Sequence, residues 1–249
     1  MGGMERGRTR KDDIWLDNLT LLDFKKKVAE GVCVLIPLGA VEEHGPHLPL
    51  GTDYFQPLFV LEETARRTGS IIAPLMPYGN CVSTSPFPGT ISISTDTVNG
   101  LVNEIVTELY RHGIRRVVIV SGHAGGGHMA AVREGVWKVV KENPDLKAAV
   151  LSDYDLAYEF IGKDGVPKDD GHAGTVETSR MMAIRPDLVG KPPKQVEGDT
   201  PKRFRIYPGW DIFYRNGVMG GDPSKATAAL GKKVNDHVIE GLVNLVKDL

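Results

Sequence analysis

The chain has 249 residues, with 30 Lys or Arg, 32 Asp or Glu and a formal net charge of −2. This length allows one large domain or two small ones, and the charge balance argues against a broad nucleic-acid-binding surface. No apolar run approaches the ~18 residues of a membrane span, and residues 1–10 lack the apolar core of a signal peptide. We therefore expect a cytoplasmic protein that binds neither nucleic acid nor membrane, with a disordered or tag-derived start at 1–10 and a single domain at 11–249.

Short apolar runs alternate with amphipathic segments along the chain. The predicted strands are residues 32–37, 70–74, 116–120 and 148–151. The predicted helices are residues 54–68, 96–112 (with Asp96 as N-cap), 127–143, 175–183 and 225–247. This alternation predicts an α/β fold with a mostly parallel sheet. Because the strands are apolar throughout, helices are expected on both faces of the sheet.

Residues 166–222 contain many Pro, Gly and Lys and few apolar runs. Apart from the helix at 175–183, we interpret this region as an exposed excursion or an arm that contacts another subunit. Arg203 and Arg205 lie within it and could line a phosphate pocket, although exposed surface charge is the more common role of such arginines.

The segments that follow the predicted strands carry most of the polar residues of interest. In parallel sheets, ligands bind at the carboxyl ends of the strands. The four segments read GAVEEHGPHLPLGTD, MPYGNCVSTSPFPGT, SGHAGGGH and, after SDYD, DGHAGTVETS. Because histidines or carboxylates recur in three of them, the sequence predicts that these side chains converge on one site.

The first segment offers Glu42, His44 and Asp53. Residues two apart in an extended chain point to the same side, so Glu42 and His44 can face one ion. Asp53 follows nine residues later, after glycines and prolines suited to a loop that doubles back, and its two oxygens could bridge two metals ~3.5–4 Å apart. The alternative is a polar turn in which Asp53 is a helix N-cap.

The third segment places His123 directly after a strand. The sequence SGHAGGG could instead cradle a phosphate at a helix N-terminus, but it lacks the Lys and Ser/Thr of a P-loop and does not match the dinucleotide fingerprint. His128, at the start of the next helix, is expected to be a structural residue.

His172 and Glu177 are the candidates in the last segment. Glu177 falls in the first turn of a predicted helix, where a carboxylate is also favoured by the helix dipole alone. In the second segment, Ser83 is assigned as a substrate contact, although a turn rich in hydroxyl groups is equally typical there. His47 could support a ligand through a hydrogen bond, and His112 and His237 are expected to be structural.

The candidate donors are imidazoles and carboxylates. The two cysteines, Cys33 and Cys81, are interpreted as reduced thiols outside the site, and Cys33 lies in an apolar run. A donor set of nitrogen and oxygen suits zinc, manganese or iron(II). A carboxylate shared between two ions favours a two-metal site.

Several segments together resemble the creatininase family (creatinine amidohydrolase and its relatives). GAVEEHGPHLPLGTD resembles the family signature, PFPGTISIS its Phe-Pro-Gly-Thr segment, and SGHAGGG its Asn-Gly-His-Gly-Gly loop. GHAGTVETS resembles its His-Ala-Gly-x-x-Glu-Thr-Ser segment, and GVMGGDPSKATAALGKK its C-terminal Gly-Asp-Pro-Ser segment. The resemblance runs from about Leu19 to the end of the chain.

The resemblance implies a three-layer α/β/α sandwich, two divalent metal ions (zinc, manganese or both) and assembly into a homo-oligomer, often a hexamer. Glu42, His44, Asp53 and His123 match metal ligands of the family, with Asp53 as the bridging ligand. His172 matches a histidine that acts in catalysis and contacts substrate.

The sequence departs from creatininase in two adjacent positions. Where creatininase has a substrate-contacting tyrosine and a glutamate ligand, this chain has Ala124 and Gly125. Glu177 is therefore the candidate replacement ligand, with general base as its other possible role. The tryptophan that precedes the catalytic histidine of creatininase is also missing from PKDDGH, so creatinine itself is not the expected substrate.

These expectations define a leading hypothesis and three alternatives. The leading hypothesis is hydrolysis of a non-peptide C–N bond in a small amide, cyclic amide or formamide, by a hydroxide that bridges two metals. Within the same family, the alternatives are deformylation of a pyrimidine nucleotide intermediate and trimming of a modified peptide. The alternative of another class is a protein that keeps the fold and binds a metal or ligand without catalysis.

Overall fold

The computed structural model describes residues 13–194, 196 and 198–249. The predicted disordered or tag-derived start at 1–10 lies outside these residues, and the single domain at 11–249 stays a prediction. Across the described part of the chain, no helix has both the length and the apolar character needed to cross a membrane.

Four parallel strands form the central sheet in the order β2-β1-β3-β4. The strands are β1 Cys33–Leu38, β2 Ile71–Ile72, β3 Arg116–Ser121 and β4 Lys147–Ser152. The second strand is shorter than the predicted 70–74, because only Ile71 and Ile72 pair in register with β1. Pro74, which has no N–H to donate, follows the end of the pairing.

Seven α-helices surround the sheet in the described part of the chain. They are α1 Leu21–Ala29, α2 Thr52–Thr68, α3 Thr95–Arg111, α4 Gly126–Glu142, α5 Tyr154–Ala157, α6 Thr175–Ile184 and α7 Ala228–Asp248. Neither α1 nor the one-turn helix α5 was predicted from the sequence. Helix α1 buries no side chain fully and is stabilised at its start by a capping box of Thr20 and Asp23.

Four predicted helix starts, those of α2, α3, α4 and α7, are wrong by one to three residues. Helix α3 is capped by the Ser94 hydroxyl, which accepts the Thr97 N–H, and not by Asp96. Helix α7 begins at Ala228 and not at Lys225, because residues 223–225 form a separate 3₁₀ turn. In α3 and α7, a hydroxyl residue just before the helix takes the capping position.

The helices cover both faces of the sheet, which confirms the three-layer α/β/α sandwich. Alternate residues of β1 enter different cores: Leu35 packs with α2 and α7, whereas Val34 and Ile36 pack with α3 and α4. A strand buried on both faces is therefore apolar at every position, as the sequence of β1 shows.

The region predicted to be an exposed excursion is exposed only in part. Phe204 is 87% exposed and Ile206 is 94% exposed. The chain then returns to the body of the protein, where the Trp210 N–H donates to the Ser83 carbonyl at 2.8 Å and Met219 pairs with His172. The excursion thus borders the segment after β2 and the residues before α6.

Helix α6 is fixed to its neighbours by buried charged groups. At its start, the Asp170 carboxylate accepts the N–H groups of Thr175 and Val176 at 2.6 and 3.0 Å. One turn further on, the fully buried Arg180 donates to Asp153, which follows β4, at 2.6 Å.

A second contact of Arg180 reaches helix α7. Its Nε donates to Asn235 at 2.8 Å. Asn235 and Arg180 each keep one buried nitrogen without a partner, as Asp153 keeps one oxygen. The three side chains therefore depend on one another, and together they hold α6 in place.

We expect the Arg180→Leu variant to lose about 3–5 kcal/mol of its free energy of unfolding, because Asp153 is left as a buried charge without its partner. Urea denaturation followed by circular dichroism measures this loss. Replacing Asp153 by Leu in the same chain should recover part of it.

Arg66→Leu is the matched control for that experiment. Arg66 pairs with Glu62 at 2.8 Å on the exposed face of α2, and an exposed ion pair contributes less than about 1 kcal/mol. Equal losses in the Arg180 and Arg66 variants would contradict a structural role for the buried contacts.

Candidate active site

The loop that follows β1 and the loop that follows β3 meet at the carboxyl edge of the sheet. Glu42 and His44 lie in the first loop, Asp53 lies in the first turn of α2, and His123 lies two residues after β3. Gly122 allows this approach, because a Cβ at that position would lie 2.0 Å from the Asp53 carbonyl oxygen. Neighbouring parallel strands thus bring distant residues together, as expected for such sheets.

Asp53 lies between the two histidines. Its Oδ1 is 2.9 Å from His44 Nε2, and its Oδ2 is 3.2 Å from His123 Nδ1. Glu42 Oε2 also approaches His123 Nδ1, at 2.7 Å. All four residues are buried, with at most 5% of their surface exposed. A carboxylate whose two oxygens face two different histidines has the arrangement of a bridging ligand.

Glu177 supplies a further carboxylate from the first turn of α6. Its Oε2 lies 3.8 Å from His44 Nε2 and accepts the Ala173 N–H. Gly125, by contrast, leaves no room for a side chain, because a Cβ there would lie 2.5 Å from His123 Nε2. The carboxylate therefore reaches this side of the site from α6 and not from the loop after β3.

Hydrogen bonds fix which ring nitrogen of each histidine faces the carboxylates. His44 Nδ1 donates to the Glu42 carbonyl at 3.1 Å, and His123 Nε2 donates to the Asn80 carbonyl at 2.9 Å. In the neutral rings, the opposite nitrogens therefore present lone pairs to Asp53 and Glu42. Lone pairs and carboxylate oxygens are all acceptors, so a cation or additional protons must lie among them.

Unpartnered buried atoms show that the donor set fits a metal. Glu42 Oε2 and Asp53 Oδ2 are inaccessible to solvent and have no hydrogen-bond partner. Buried carboxylates are costly unless they are paired or coordinate a metal, and no Lys or Arg forms an ion pair with either residue in the described part of the chain. Divalent cations would satisfy both atoms.

The donor atoms fall into groups of a size that could hold an ion. One group is His44, Asp53 and Glu177, and a second is Glu42, Cys81 and His123, with the donor atoms of each group within 4.8 Å of one another. Asp53 Oδ2 also faces the second group through His123. Two neighbouring positions that share Asp53 could thus hold two divalent ions.

The pKa shifts of the buried groups reflect the excess of negative charge. Burial alone would lower the pKa of His44 and of His123, but the carboxylates of Asp53, Glu177 and Glu42 raise both pKa values well above the ordinary one. Burial would raise the pKa of Asp53, but the two histidines hold it well below its usual range. The site therefore stabilises positive charge at its centre.

His172 lies against the ring of His44, with centroids 4.3 Å apart. Its Nε2 is 2.8 Å from the Glu43 carbonyl oxygen and 3.3 Å from Glu43 Oε1. Burial and His44 lower the pKa of His172, whereas the hydrogen bond to Glu43 and the nearby carboxylates raise it by more. The side chain keeps 19% of its surface exposed, so it lies where the site opens.

A closed ring of hydrogen bonds supports His123. Asn80 donates its N–H to His128 Nδ1 at 3.3 Å, and His128 Nε2 lies 3.2 Å from the Ser121 hydroxyl. That hydroxyl donates to the His123 carbonyl at 2.8 Å, and the His123 ring returns to the Asn80 carbonyl. Burial lowers the pKa of His128 to about 3, so its ring is neutral. His128 thus has a structural role, as predicted, but one that bears on a candidate ligand.

The other predicted residues lie at different distances from the centre. His47 is buried and contacts Thr178, next to Glu177, at 2.8 Å. Ser83 uses its carbonyl to bind Trp210, whereas the neighbouring Thr84 hydroxyl donates to Glu42 Oε1. The remaining residues lie away from the site: His112, Arg203 and Arg205 are exposed, and His237 is half-buried against Phe160.

Four residues that are not among the predicted site residues also border the site. Glu43, Asn80, Thr84 and Cys81 all contact or approach candidate ligands. The sequence predicts nitrogen and oxygen donors only, and the structure adds the Cys81 Sγ within 4.8 Å of donor atoms of Glu42 and His123. The available signal was position, since three of these residues follow β2 in the same segment as Ser83.

Comparison with known proteins identifies the family of this chain. The sequence profile of the creatininase family, described as creatinine amidohydrolase, matches residues 17–246. Creatinine amidohydrolase of Pseudomonas putida is 30% identical, over 94% of this chain and 96% of its own. Mycofactocin precursor peptide peptidase of Mycolicibacterium smegmatis is 31% identical, over 86% of this chain and 84% of its own.

Solved structures show the same fold. A crystal structure of creatinine amidohydrolase superposes with a TM-score of 0.84 at 27% identity, covering 94% of this chain and 97% of that one. A variant creatininase of Zn-Zn type and a creatininase with Mn give the same TM-score and identity, each covering 95% of this chain and 98% of that one. The chain therefore belongs to the creatininase family and is a hydrolase of the creatininase type.

Proposed function

We propose that this protein is a metal-dependent amidohydrolase that cleaves a non-peptide C–N bond in a small amide, cyclic amide or formamide. The observation that carries the proposal is the buried meeting of Glu42, His44, Asp53 and His123, in which ring lone pairs and carboxylate oxygens face one another. Such an arrangement requires positive charge at its centre, which divalent ions would supply. Membership of the creatininase family supports the same reaction class.

We assign the two positions of the site to different sets of side chains. His44, Asp53 and Glu177 would hold one divalent ion, and Glu42, Asp53 and His123 would hold the other. Zinc, manganese or both fit these donors, and iron(II) is compatible with them. When bound, the two ions would supply Lewis acidity and lower the pKa of a water molecule towards ~7.

Glu177 acts as a ligand in this proposal rather than as a general base. Without Glu177, the first group would keep only His44 and Asp53, because Gly125 has no side chain and no room for one. Its Oε2 is held in place by the Ala173 N–H. A fixed carboxylate suits coordination better than proton transfer, which requires the group to reach the substrate.

His172 is the proposed proton donor to the leaving nitrogen. Its Nε2–H is donated to the Glu43 carbonyl, which leaves Nδ1 as the atom that can carry and release a proton. The ring stacks on His44 at the open side of the site, where it can also orient the substrate. Thr84 orients Glu42 through its hydroxyl. Ser83, which precedes Thr84 in the chain, remains a proposed substrate contact.

We also propose that the chain works in the cytoplasm as a homo-oligomer, with a hexamer as the arrangement that the family resemblance implies. Cys33 and Cys81 are both buried and unpaired, in keeping with a reducing compartment. Phe204 and Ile206 supply exposed apolar surface that assembly would cover. Light scattering of the purified protein measures the number of subunits.

A second candidate function is the trimming of a modified peptide. It is favoured by the 31% identity to a mycofactocin precursor peptide peptidase. Ala124, which directly follows His123, is small and exposed, and Gly125 has no side chain. Neither residue therefore places a bulky group beside His123. Screening the zinc-loaded and manganese-loaded protein against creatinine, hydantoin-like rings, formamidopyrimidines and short peptides distinguishes the substrate classes. Turnover of none of them would favour a non-catalytic binding protein.

We expect the Asp53→Ala variant to lose most of its bound metal, because both ions would lose the carboxylate that they share. Elemental analysis of the purified protein gives the metal content per chain. Asp96→Ala is the matched control, since Asp96 lies in the first turn of another 17-residue helix but is exposed. Retention of two ions per Asp53→Ala chain would exclude the bridging assignment.

We expect the His172→Ala variant to keep its metal and to lose activity by about 10²–10⁴-fold, the range typical of a general acid or base. Activity on the substrate found in the screen and metal content are measured on the same samples. His237→Ala, at a half-buried histidine paired with Glu159, serves as control. Loss of metal in His172→Ala would instead identify His172 as a ligand, as its proximity to Glu42 and His44 allows.

We expect His128→Ala to weaken metal binding by about 10–100-fold, the range typical for partners of a metal ligand. The reason is that Asn80 and Ser121 lose the group that closes the ring around His123. Competition with a chelator measures the affinity, and His112→Ala, at an exposed histidine, is the control. Unchanged affinity in a folded His128→Ala protein would contradict the positioning role.

A further inference from the structure

Cys81 lies in the site although it is not part of the ligand set described above. The side chain is 99% buried, and its backbone N–H donates to the Ser92 hydroxyl at 2.9 Å. Its Sγ, a carboxylate oxygen of Glu42 and a ring nitrogen of His123 all lie within 4.8 Å of one another. The preceding residue, Asn80, accepts the His123 ring N–H, so the two segments are tied together.

Two carboxylate oxygens without hydrogen-bond partners lie near the same group of Glu42, Cys81 and His123. Glu42 Oε2 and Asp53 Oδ2 are buried without a hydrogen-bond partner, and both face His123 Nδ1, at 2.7 and 3.2 Å. These three donors meet on the side of the site where Cys81 lies. A thiol beside such a group can act as a metal ligand, whereas a cysteine buried among apolar side chains cannot.

The two positions of the site therefore differ in their chemistry. The group of His44, Asp53 and Glu177 contains only nitrogen and oxygen donors. The group around Glu42 and His123 contains a sulfur as well. Thiolate is a soft ligand that favours zinc over manganese, whereas carboxylate and imidazole accept both.

We propose that Cys81 is a thiolate ligand of the ion held by Glu42, Asp53 and His123, and that this position takes zinc or another thiophilic divalent ion. The inference rests on the proposed two-metal site. On binding, the S–H bond breaks, a metal–sulfur bond forms and the thiol proton passes to solvent, with no change of oxidation state. The position of His44, Asp53 and Glu177 remains open to zinc or manganese.

Cobalt(II) tests the proposal, because a thiolate bound to this ion gives a near-ultraviolet charge-transfer band that nitrogen and oxygen ligands do not give. The full-length protein is stripped with a chelator, reloaded with cobalt(II) and analysed for metal content and absorption. We expect the band in the unchanged protein and its loss in Cys81→Ser. Zinc X-ray absorption should likewise show sulfur at ~2.3 Å in the unchanged protein, and only lighter donors in the variant.

Cys33→Ser is the matched control, because Cys33 is also buried and unpaired but lies in β1, where its Sγ approaches the Val34 carbonyl. The band should persist in that variant. Cys81→Ala provides a second substitution should the serine fail to fold.

The outcomes separate this inference from the proposed function. Two cobalt ions per chain without a charge-transfer band, or a band that survives in Cys81→Ser, would overturn the thiolate ligand and leave the two-metal site standing. A folded chain that binds no divalent ion would overturn both.

Discussion

The structure depends on a cluster of buried hydrogen-bond acceptors that face one another. His44 and His123 each donate one ring nitrogen to a backbone carbonyl, so the other nitrogen of each ring points a lone pair at Asp53. Glu42 adds a further acceptor beside His123. Without positive charge at the centre these groups would repel one another and pay the full cost of desolvation. The hydrogen bonds that surround the cluster therefore create a need for positive charge at its centre, which bound protons or metal ions can supply.

The fold supplies the rigidity that such a cluster needs. The loops after β1 and β3 meet because the two strands are parallel neighbours, and α6 brings Glu177 to the same edge. That helix cannot shift freely, since Arg180 is bound to Asp153 and Asn235 in the interior. The hydrogen bonds among Asn80, His128 and Ser121 likewise hold His123 in place. Two separate sets of buried polar contacts thus fix the two sides of the candidate site, one through α6 and one through His123.

The sequence predicted the features that follow from local patterns, together with the end of the sheet at which the site lies. Apolar strands and amphipathic helices gave the three-layer sandwich, and the position of histidines and carboxylates after strands pointed to one site. Helix starts were less accurate, because a neighbouring hydroxyl such as Ser94 can take the cap from Asp96. The contact of Thr84 with Glu42 and the approach of Cys81 to the site could not be predicted for another reason. Which side of a loop faces the site is set by contacts with distant residues, here Trp210 and Ser92.

Gly125 and Glu177 show that a carboxylate at one place in a site can come from different segments of the chain. In creatininase, by resemblance, a glutamate two residues after the histidine of the third strand is a ligand; here a side chain at that position would collide with the His123 ring. Helix α6 brings the Glu177 carboxylate to the group that contains His44 and Asp53 instead. A site needs a donor atom at a point in space, and any segment that passes nearby can supply it. Under the proposed two-metal site, substrate preference could change at Ala124 and Gly125 without loss of the ions, because neither residue would be a ligand.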